Sequence, residues 1–180
     1  GFDPNYEDRQ GNSLLVHAAA NSNADVVAVL LKGGADPKRR NKVGDDALNY
    51  GAIKGNLSIV KQMLDAGLSV NRKQGWQPLS YAVYGKNMDV FDYLMAKGAD
   101  VNGNNPSQAS ALMIAAQQGQ EEMVDRLLEA GADRGAVGDR IGEQRRVEDA
   151  LADRDEFNSI TRRINGGLNG LQDRLDIWAR

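Results

Sequence analysis

One short phrase is repeated four times along the chain, and it constrains the fold more than any other feature. It occurs at residues 30–37, 63–71, 94–102 and 127–133, and its glycines are Gly34, Gly67, Gly98 and Gly131. The spacings between these glycines are therefore 33, 31 and 33 residues. Such a period predicts an array of structural repeats, in which each repeat buries its apolar face against its neighbours only.

Each repeat carries the pattern of two short helices joined by a turn. A helix-starting residue stands near its beginning and a leucine follows; these sets are Ser13/Leu15, Asp46/Leu48, Gln77–Pro78/Leu79 and Ser110/Leu112. The second segment has apolar residues at i, i+3 and i+4, such as Val27, Leu30 and Leu31, which form one helical face. The phrase glycine ends that helix in a left-handed C-cap. The predicted fold class is all-α.

These residues resemble the ankyrin repeat family, whose unit reads G-x-T-P-L-H-x-A-A-x-x-G, followed by a second helix and L-L-x-x-G-A-D-V-N. The resemblance covers about residues 1–135 and implies a solenoid of stacked helix-turn-helix units joined by finger loops. The departures from the pattern are local. The loop before Gly75 is two residues short, and Lys86 stands where the turn glycine is usual. The family's histidine is replaced in each repeat, by Val16, Asn49, Ser80 and Met113.

The repeat register predicts the organisation of the whole chain. Residues 1–10 read as the tail of a truncated preceding repeat, so we expect a fragment of a longer protein. Four repeats follow at 11–43, 44–74, 75–107 and 108–140. Residues 141–165 read as a divergent capping repeat and 166–180 as an amphipathic helix. That helix carries an apolar stripe, which either caps the array or is left open for a partner or a second copy; the stripe is Leu168, Leu171, Leu175 and Trp178.

Composition limits the classes of function. With 22 basic and 25 acidic residues the net charge is −3, which gives no general attraction to nucleic acid or anionic membranes. The absence of cysteine excludes disulfides and thiolate chemistry but does not separate cytoplasm from periplasm, and a signal peptide could already have been removed. No cofactor or metal is implied, no apolar run suggests a membrane span, and a monomer is favoured. The abundant asparagines resemble those of bacterial ankyrin proteins, some of them exported.

Catalytic candidates are few. His17 is the only histidine and stands where other repeats have packing residues, so we expect it to be structural and partly buried. Asp45 and Asp46 form an acidic pair, but Asp46 is expected to cap a helix. Asp153, Asp155 and Glu156 lack EF-hand spacing. The sequence therefore predicts that the chain is not an enzyme.

The family resemblance implies a protein-binding surface on the concave face, built from the fingers and the first helices. The partner-binding positions it implies are Arg9, Gln10, Asn12, Asn21, Lys42, Val43, Asp45, Ile53, Lys54, Lys73, Gln74, Trp76, Tyr84, Ser107, Gln117 and Gln118. Among them Ile53, Trp76 and Tyr84 suggest a central apolar cluster of the kind found at binding hot spots. The alternative is that Trp76 and Tyr84 only cover the shortened loop.

The resulting hypothesis is a non-catalytic scaffold that binds a partner protein. Two rivals stay open: a recognition fragment of a larger effector or enzyme whose active domain lies outside this chain, and an enzyme that uses Asp45 and Asp46. The basic run at residues 38–42 is either a solvated loop or a patch that steers an acidic partner. Nucleic acid is less favoured, because no aromatic residues are interleaved with that run.

Overall fold

The structure is a computed structural model, and it describes residues 3–103, 105 and 109–133. The described residues contain eight helices, and none of these is long and apolar enough to cross a membrane. They are α1 (Leu14–Ala20), α2 (Ala24–Lys32), α3 (Ala47–Lys54), α4 (Leu57–Asp65), α5 (Pro78–Tyr84), α6 (Met88–Ala96), α7 (Ala111–Gln117) and α8 (Glu121–Glu129).

The chain divides into two compact units. The N-terminal unit ends at Asp100 and contains α1 to α6, whereas the C-terminal unit begins at Val101 and contains α7 and α8. In the N-terminal unit α3 packs between α1 and α5, and α4 packs between α2 and α6. Each first helix also packs on the second helix of its own pair. The unit is thus two layers of helices, which confirms the predicted all-α solenoid.

Side chains at the predicted positions start the helices. Ser13 and Ser110 each accept a hydrogen bond from an amide in the first turn of α1 and α7, and Asp46 accepts two, from the amides of Leu48 and Asn49. Gln77 makes no such bond; α5 begins instead with Pro78, whose fixed φ suits the first helical position. The predicted caps are therefore confirmed, together with the predicted weakness of Gln77.

The repeated glycine stops each second helix. Gly34, Gly67, Gly98 and Gly131 have φ between 81° and 90°, which is the left-handed conformation that glycine adopts at lowest cost. Each amide donates back to the helix that it ends; that of Gly34, for instance, donates to the carbonyl oxygen of Leu31 over 3.0 Å. The glycine period read from the sequence is therefore a period of helix ends.

The core of the N-terminal unit lies between the two layers. Leu48 and Ala52 of α3 and Val60 and Met63 of α4 are fully buried. Burial of each large apolar side chain contributes roughly 1.5–3 kcal/mol. The same burial occurs in each helical pair of the unit, so the fingers follow one another at a regular spacing.

The C-terminal unit repeats the same helical pair. α7 packs on α8, with Leu112, Val124 and Leu127 fully buried. The predicted capping repeat at 141–165 and the predicted amphipathic helix at 166–180 lie outside the described residues.

Candidate functional site

The loops between helical pairs form fingers, and the first two are closed by corresponding side chains. In finger one (residues 7–12) the carboxylate of Asp8 accepts from the amides of Gln10 and Asn12, over 2.8 and 2.9 Å. In finger two (residues 38–45) the side-chain carbonyl of Asn41 accepts from the amides of Val43 and Asp45, over 3.1 and 2.9 Å. Because Asp8 and Asn41 occupy the same place in successive repeats, both fingers have the same internal closure.

Finger three (residues 70–77) is closed from its other end. The corresponding position is Arg72, whose side chain does not close the loop. Gln77 replaces it: its amide oxygen accepts from the backbone amide of Arg72 over 2.9 Å, and its amide nitrogen donates to the carbonyl of Arg72 over 3.0 Å. This reciprocal bonding explains why Gln77 does not cap α5.

Adjacent fingers are joined to one another. The backbone amide of Lys42 donates to the carbonyl of Gln10 over 3.0 Å, and the side chain of Asn41 donates to that of Asn12 over 3.0 Å. A guanidinium nitrogen of Arg40 lies 3.4 Å from the carbonyl oxygen of Gln74. The three fingers of the N-terminal unit consequently form one row.

A buried polar network supports this row. Asp45 is only 6% exposed, and its carboxylate accepts from the side-chain amide of Asn49 over 3.1 Å and from the hydroxyl of Tyr81 over 2.7 Å. Asn49 stands at the place of the family's histidine. At this place the asparagine side chain bonds to Asp45, a residue of finger two.

A buried ion pair lies under fingers two and three. Arg72 Nη2 is 2.5 Å from Asp46 Oδ2, with side chains 7% and 0% exposed, while Arg40 Nε stands 3.8 Å from the same oxygen. Burial raises the pKa of Asp46 above its ordinary value, against the opposing effect of Arg72. Burial likewise lowers the pKa of Arg72. Both ions are held in an environment that disfavours charge, so their role is structural.

Six of the predicted partner-binding residues lie exposed along the row of fingers. We call them the fingertip strip: Arg9, Gln10, Lys42, Val43, Lys73 and Gln74. Each of the three fingers contributes two of these residues. The bonds between fingers bring these residues into one continuous surface.

Burial removes three predicted residues from any surface. Asn12 is 2% exposed, Asp45 is 6% exposed and Trp76 is 2% exposed. The expected exposed cluster of Ile53, Trp76 and Tyr84 is therefore wrong, because the indole packs inside the unit with its ring centroid 6.0 Å from that of Tyr81. The burial of Trp76 agrees with the alternative that it covers the shortened finger.

A second group of predicted residues lies at the other end of the first helices, and we call it the helix-end group: Asn21, Ile53, Lys54 and Tyr84. Ile53 and Tyr84 stand at corresponding positions near the ends of α3 and α5, and both are half-buried. An eight-residue helix such as α3 is about 12 Å long, which separates this group from the fingertip strip. In the C-terminal unit Gln117 and Gln118 are half-buried. Ser107 lies outside the described residues.

His17 is tied to finger one. Its side chain is 49% exposed, and its Nε2 lies 3.0 Å from Asp8 Oδ2. Burial raises the pKa of Asp8. Hydrogen bonds from Asn12 and Gln10, together with the nearby His17, lower it by more, so the pKa lies below its ordinary value. Asp8 therefore both orients the imidazole and closes finger one. The partner was not evident from the sequence, because it lies on the preceding finger.

Two structural contacts beneath the site were missed in the sequence. Arg72 and Arg40 both reach Asp46, and Arg40 also links fingers two and three. The sequence does contain a capping aspartate and an arginine in each of two successive fingers. That these residues meet follows only from the stacking of the repeats, which brings the two fingers together. Within the described residues no group of three His, Asp or Glu side chains could hold a metal ion.

The stacked helical pairs and the hydrogen-bonded fingers define a helical repeat protein of the solenoid class. The chain matches the family model for ankyrin repeats (three copies) over residues 1–74 and 52–136. It therefore belongs to the ankyrin repeat family, whose members generally serve as protein–protein interaction modules and are typically non-catalytic. Comparison with curated proteins gave no significant match.

Proposed function

We propose that this chain is a non-catalytic recognition module that binds a partner protein through the fingertip strip and the helix-end group. The observation that carries the proposal is the row of fingers in the N-terminal unit. Polar groups inside the fingers form hydrogen bonds that close a finger or join it to its neighbour, as those of Asn41 and Asn12 do. The side chains of the fingertip strip remain exposed along that row.

The candidate catalytic groups support this reading rather than an enzyme. Asp46 caps α3 and pairs with Arg72, and Asp45 accepts from Asn49 and Tyr81. Both carboxylates are buried and occupied, whereas a general acid or base must reach a substrate. His17 is exposed, but the carboxylate that orients it is shared with the amides of finger one. Each of these groups has a sufficient structural role.

The rigidity of the row also supports recognition. A loop that is closed internally and bonded to its neighbours loses little conformational freedom when a partner docks. The frame beneath it is buried core, so the exposed side chains are held at fixed spacing. Such preorganisation favours binding of a folded or extended partner without rearrangement of the module.

The test is a cross-linked pull-down from an extract of the organism that encodes the chain. The bait is compared with a triple variant, Val43→Ala, Ile53→Ala and Tyr84→Ala, which shortens the apolar side chains of the proposed surface without changing its charge. The matched control is Val26→Ala with Val29→Ala on α2, whose side chains are 42% and 70% exposed outside that surface. All baits are first shown to unfold cooperatively.

The proposal expects one protein that is retained by the original chain and the α2 control but lost by the triple variant. Equal retention by all three baits would place the contact elsewhere and reject the surface. Turnover of a small molecule by the purified chain that is abolished by Asp45→Asn would instead favour an enzyme.

A further inference from the structure

Charge is distributed unevenly between the inside and the outside of the fingers. The carboxylates of Asp45 and Asp46 in finger two and at the start of α3 are buried, and that of Asp8 is bound to the amides of its own finger. The cations of the fingers are exposed, apart from the buried Arg72 of finger three. A chain that is acidic overall, at −3, thus presents a basic surface at its fingertips.

Four of these cations have no counter-charge. Within the described part of the chain no ion pair is formed by Arg9, Lys38, Lys42 or Lys73, whereas Arg39 is paired with Glu7 over 2.6 Å. Each finger of the N-terminal unit contributes at least one, and Arg9, Lys42 and Lys73 are those of the fingertip strip. Cations that fold stability does not use are available for a ligand, and an anionic ligand gains most where the carboxylates are already occupied.

The spacing of the fingers sets the spacing of the charges. Packed helices lie roughly 8–10 Å apart, so successive fingers are offset by about that distance. An extended polypeptide rises about 3.4 Å per residue. Carboxylates at roughly every third residue of an extended segment would therefore meet Arg9, Lys42 and Lys73 in turn.

From this arrangement we infer that the fingertip strip binds an extended acidic segment of a partner protein, with aspartate or glutamate at roughly every third residue. This inference rests on the proposed function and adds the chemistry of the partner to it. Arg40 of finger two reaches finger three, with a guanidinium nitrogen 3.4 Å from the carbonyl oxygen of Gln74, and its partly exposed side chain adds to the positive surface.

A polypeptide fits the strip better than a nucleic acid does. Between the cations stand the neutral amides of Gln10 and Gln74 and the apolar Val43, which is 41% exposed. These groups suit a peptide backbone and small side chains. Binding of single-stranded nucleic acid relies on bases stacked upon aromatic rings. In fingers two and three the described residues expose no aromatic ring, since Trp76 is buried, and only Tyr6 beside finger one is exposed.

The test is selection of peptides of about 12 residues from a random display library on the purified full chain, a length that exceeds the span of three fingers. The expected peptides are enriched in acidic residues at roughly every third position. Their affinity is then measured by fluorescence anisotropy for the chain and for the strip variant Arg9→Gln, Lys42→Gln, Lys73→Gln. We expect about tenfold weaker binding by the strip variant, from three exposed charge contacts.

A second variant controls for net charge. Lys32→Gln, Lys61→Gln and Lys86→Gln neutralises three exposed lysines outside the fingers, so it changes net charge equally. Its affinity for the selected peptides is expected to change less than about twofold. Equal weakening by both triple variants would overturn the inference, because a general field would then explain the binding.

The remaining outcomes separate the acidic-partner inference from the proposed function. Selection of no peptide, or of peptides without acidic enrichment, overturns the inference. If such non-acidic peptides still lose binding to the Val43, Ile53 and Tyr84 triple variant, the proposed function stands while the acidic partner falls. Anisotropy with a labelled single-stranded oligonucleotide completes the test: tighter binding than any peptide, lost in the strip variant, would reassign the strip to nucleic acid.

Discussion

The α3–α4 pair and the α5–α6 pair solve the same structural problem with different residues. Finger two, before α3, is closed by the neutral side chain of Asn41, and Asp46 then caps the helix. Finger three, before α5, is closed by Gln77, and its Arg72 is buried against Asp46. The shorter finger therefore depends on an ion from itself and a counter-ion from its neighbour.

The turns within the two helical pairs also use different residues. In the first turn Gly55 supplies the left-handed residue with φ of 71°, and Asn56 caps α4. In the second turn Lys86 is left-handed with φ of 57°, and Asn87 donates to the carbonyl oxygens of Ala52 and Ile53 instead of capping α6. Asn56 likewise donates to the preceding pair, at the carbonyl oxygen of Ser22, but it also caps its own helix, which Asn87 does not. The comparison teaches that the bond between neighbouring pairs is kept in both turns, whereas the cap within a pair is not.

The largest expected effect tests the dependence of finger three on the buried ion pair. Arg72→Met keeps much of the apolar stem but leaves the buried Asp46 carboxylate with only the more distant Arg40, 3.8 Å away, as a counter-ion. Breaking one side of a buried pair costs about 3–5 kcal/mol of unfolding free energy, measured by urea denaturation at neutral pH. Since burial already raises the pKa of Asp46, the folded variant should take up a proton more readily than the unfolded chain. Its deficit should therefore shrink as the pH falls towards about 4.

Two variants sharpen that prediction. Arg40→Gln removes the more distant and more exposed arginine, at 3.8 Å, and should cost less than about 1 kcal/mol. Asp46→Asn added to Arg72→Met should restore part of the loss, because the amide oxygen still caps α3 without a charge. A loss from Arg72→Met no larger than that from Arg40→Gln would show that finger three does not depend on the pair.

The next effect tests the close approach of the two pairs at their turns. A Cβ added to Gly85 would collide with the carbonyl oxygen of Ile53 and with the side chain of Asn87. Because one obstacle is backbone, Gly85→Ala should cost about 3 kcal/mol, near the upper end for overpacking. The corresponding residue of the α3–α4 pair is Lys54, which carries an exposed side chain, so Lys54→Ala is the control and should be nearly neutral. Similar melting curves for both variants would reject this difference between the turns.

A smaller loss is expected from opening finger two. Asn41→Ala removes the acceptor for the amides of Val43 and Asp45 and the donor to Asn12. Unsatisfied buried groups of this kind cost roughly 1–3 kcal/mol in urea denaturation, and we expect about 2. Asn21→Ala, whose side chain makes one exposed bond to the carbonyl of His17, is the matched control. Because finger two contains no ion in its closure, this loss should vary little with pH, unlike that of Arg72→Met.

The fold was predictable because it depends on residues that act locally or at a fixed period. Capping by Ser13 and Asp46, the left-handed glycines and the apolar helical faces each follow from a few neighbouring positions. Stacking then follows from the repetition itself, since each exposed apolar face has a copy to bury it. The family model match confirms the assignment.

The candidate site was less predictable because exposure depends on how successive repeats meet. Trp76 follows the finger glycine directly, and the corresponding residues Asn12 and Asp45 are buried as well, so this position turns inward in each finger of the N-terminal unit. The contact between Arg72 and Asp46 and that between His17 and Asp8 join residues of different fingers or of a finger and a helix. A single sequence gives the register of such residues but not which of their side chains turn inward.

The smallest expected effect has the opposite sign and tests the left-handed lysine. Lys86 adopts a conformation that costs a residue with a Cβ roughly 1 kcal/mol or more, while glycine adopts it freely. Lys86→Gly should therefore raise the unfolding free energy by about 0.5–1 kcal/mol, after allowance for the greater entropy of glycine in the unfolded chain. Lys86→Ala removes the same charge and keeps the Cβ, so it should give no gain. If alanine stabilises as much as glycine, the lysine side chain rather than its backbone conformation is the source of strain.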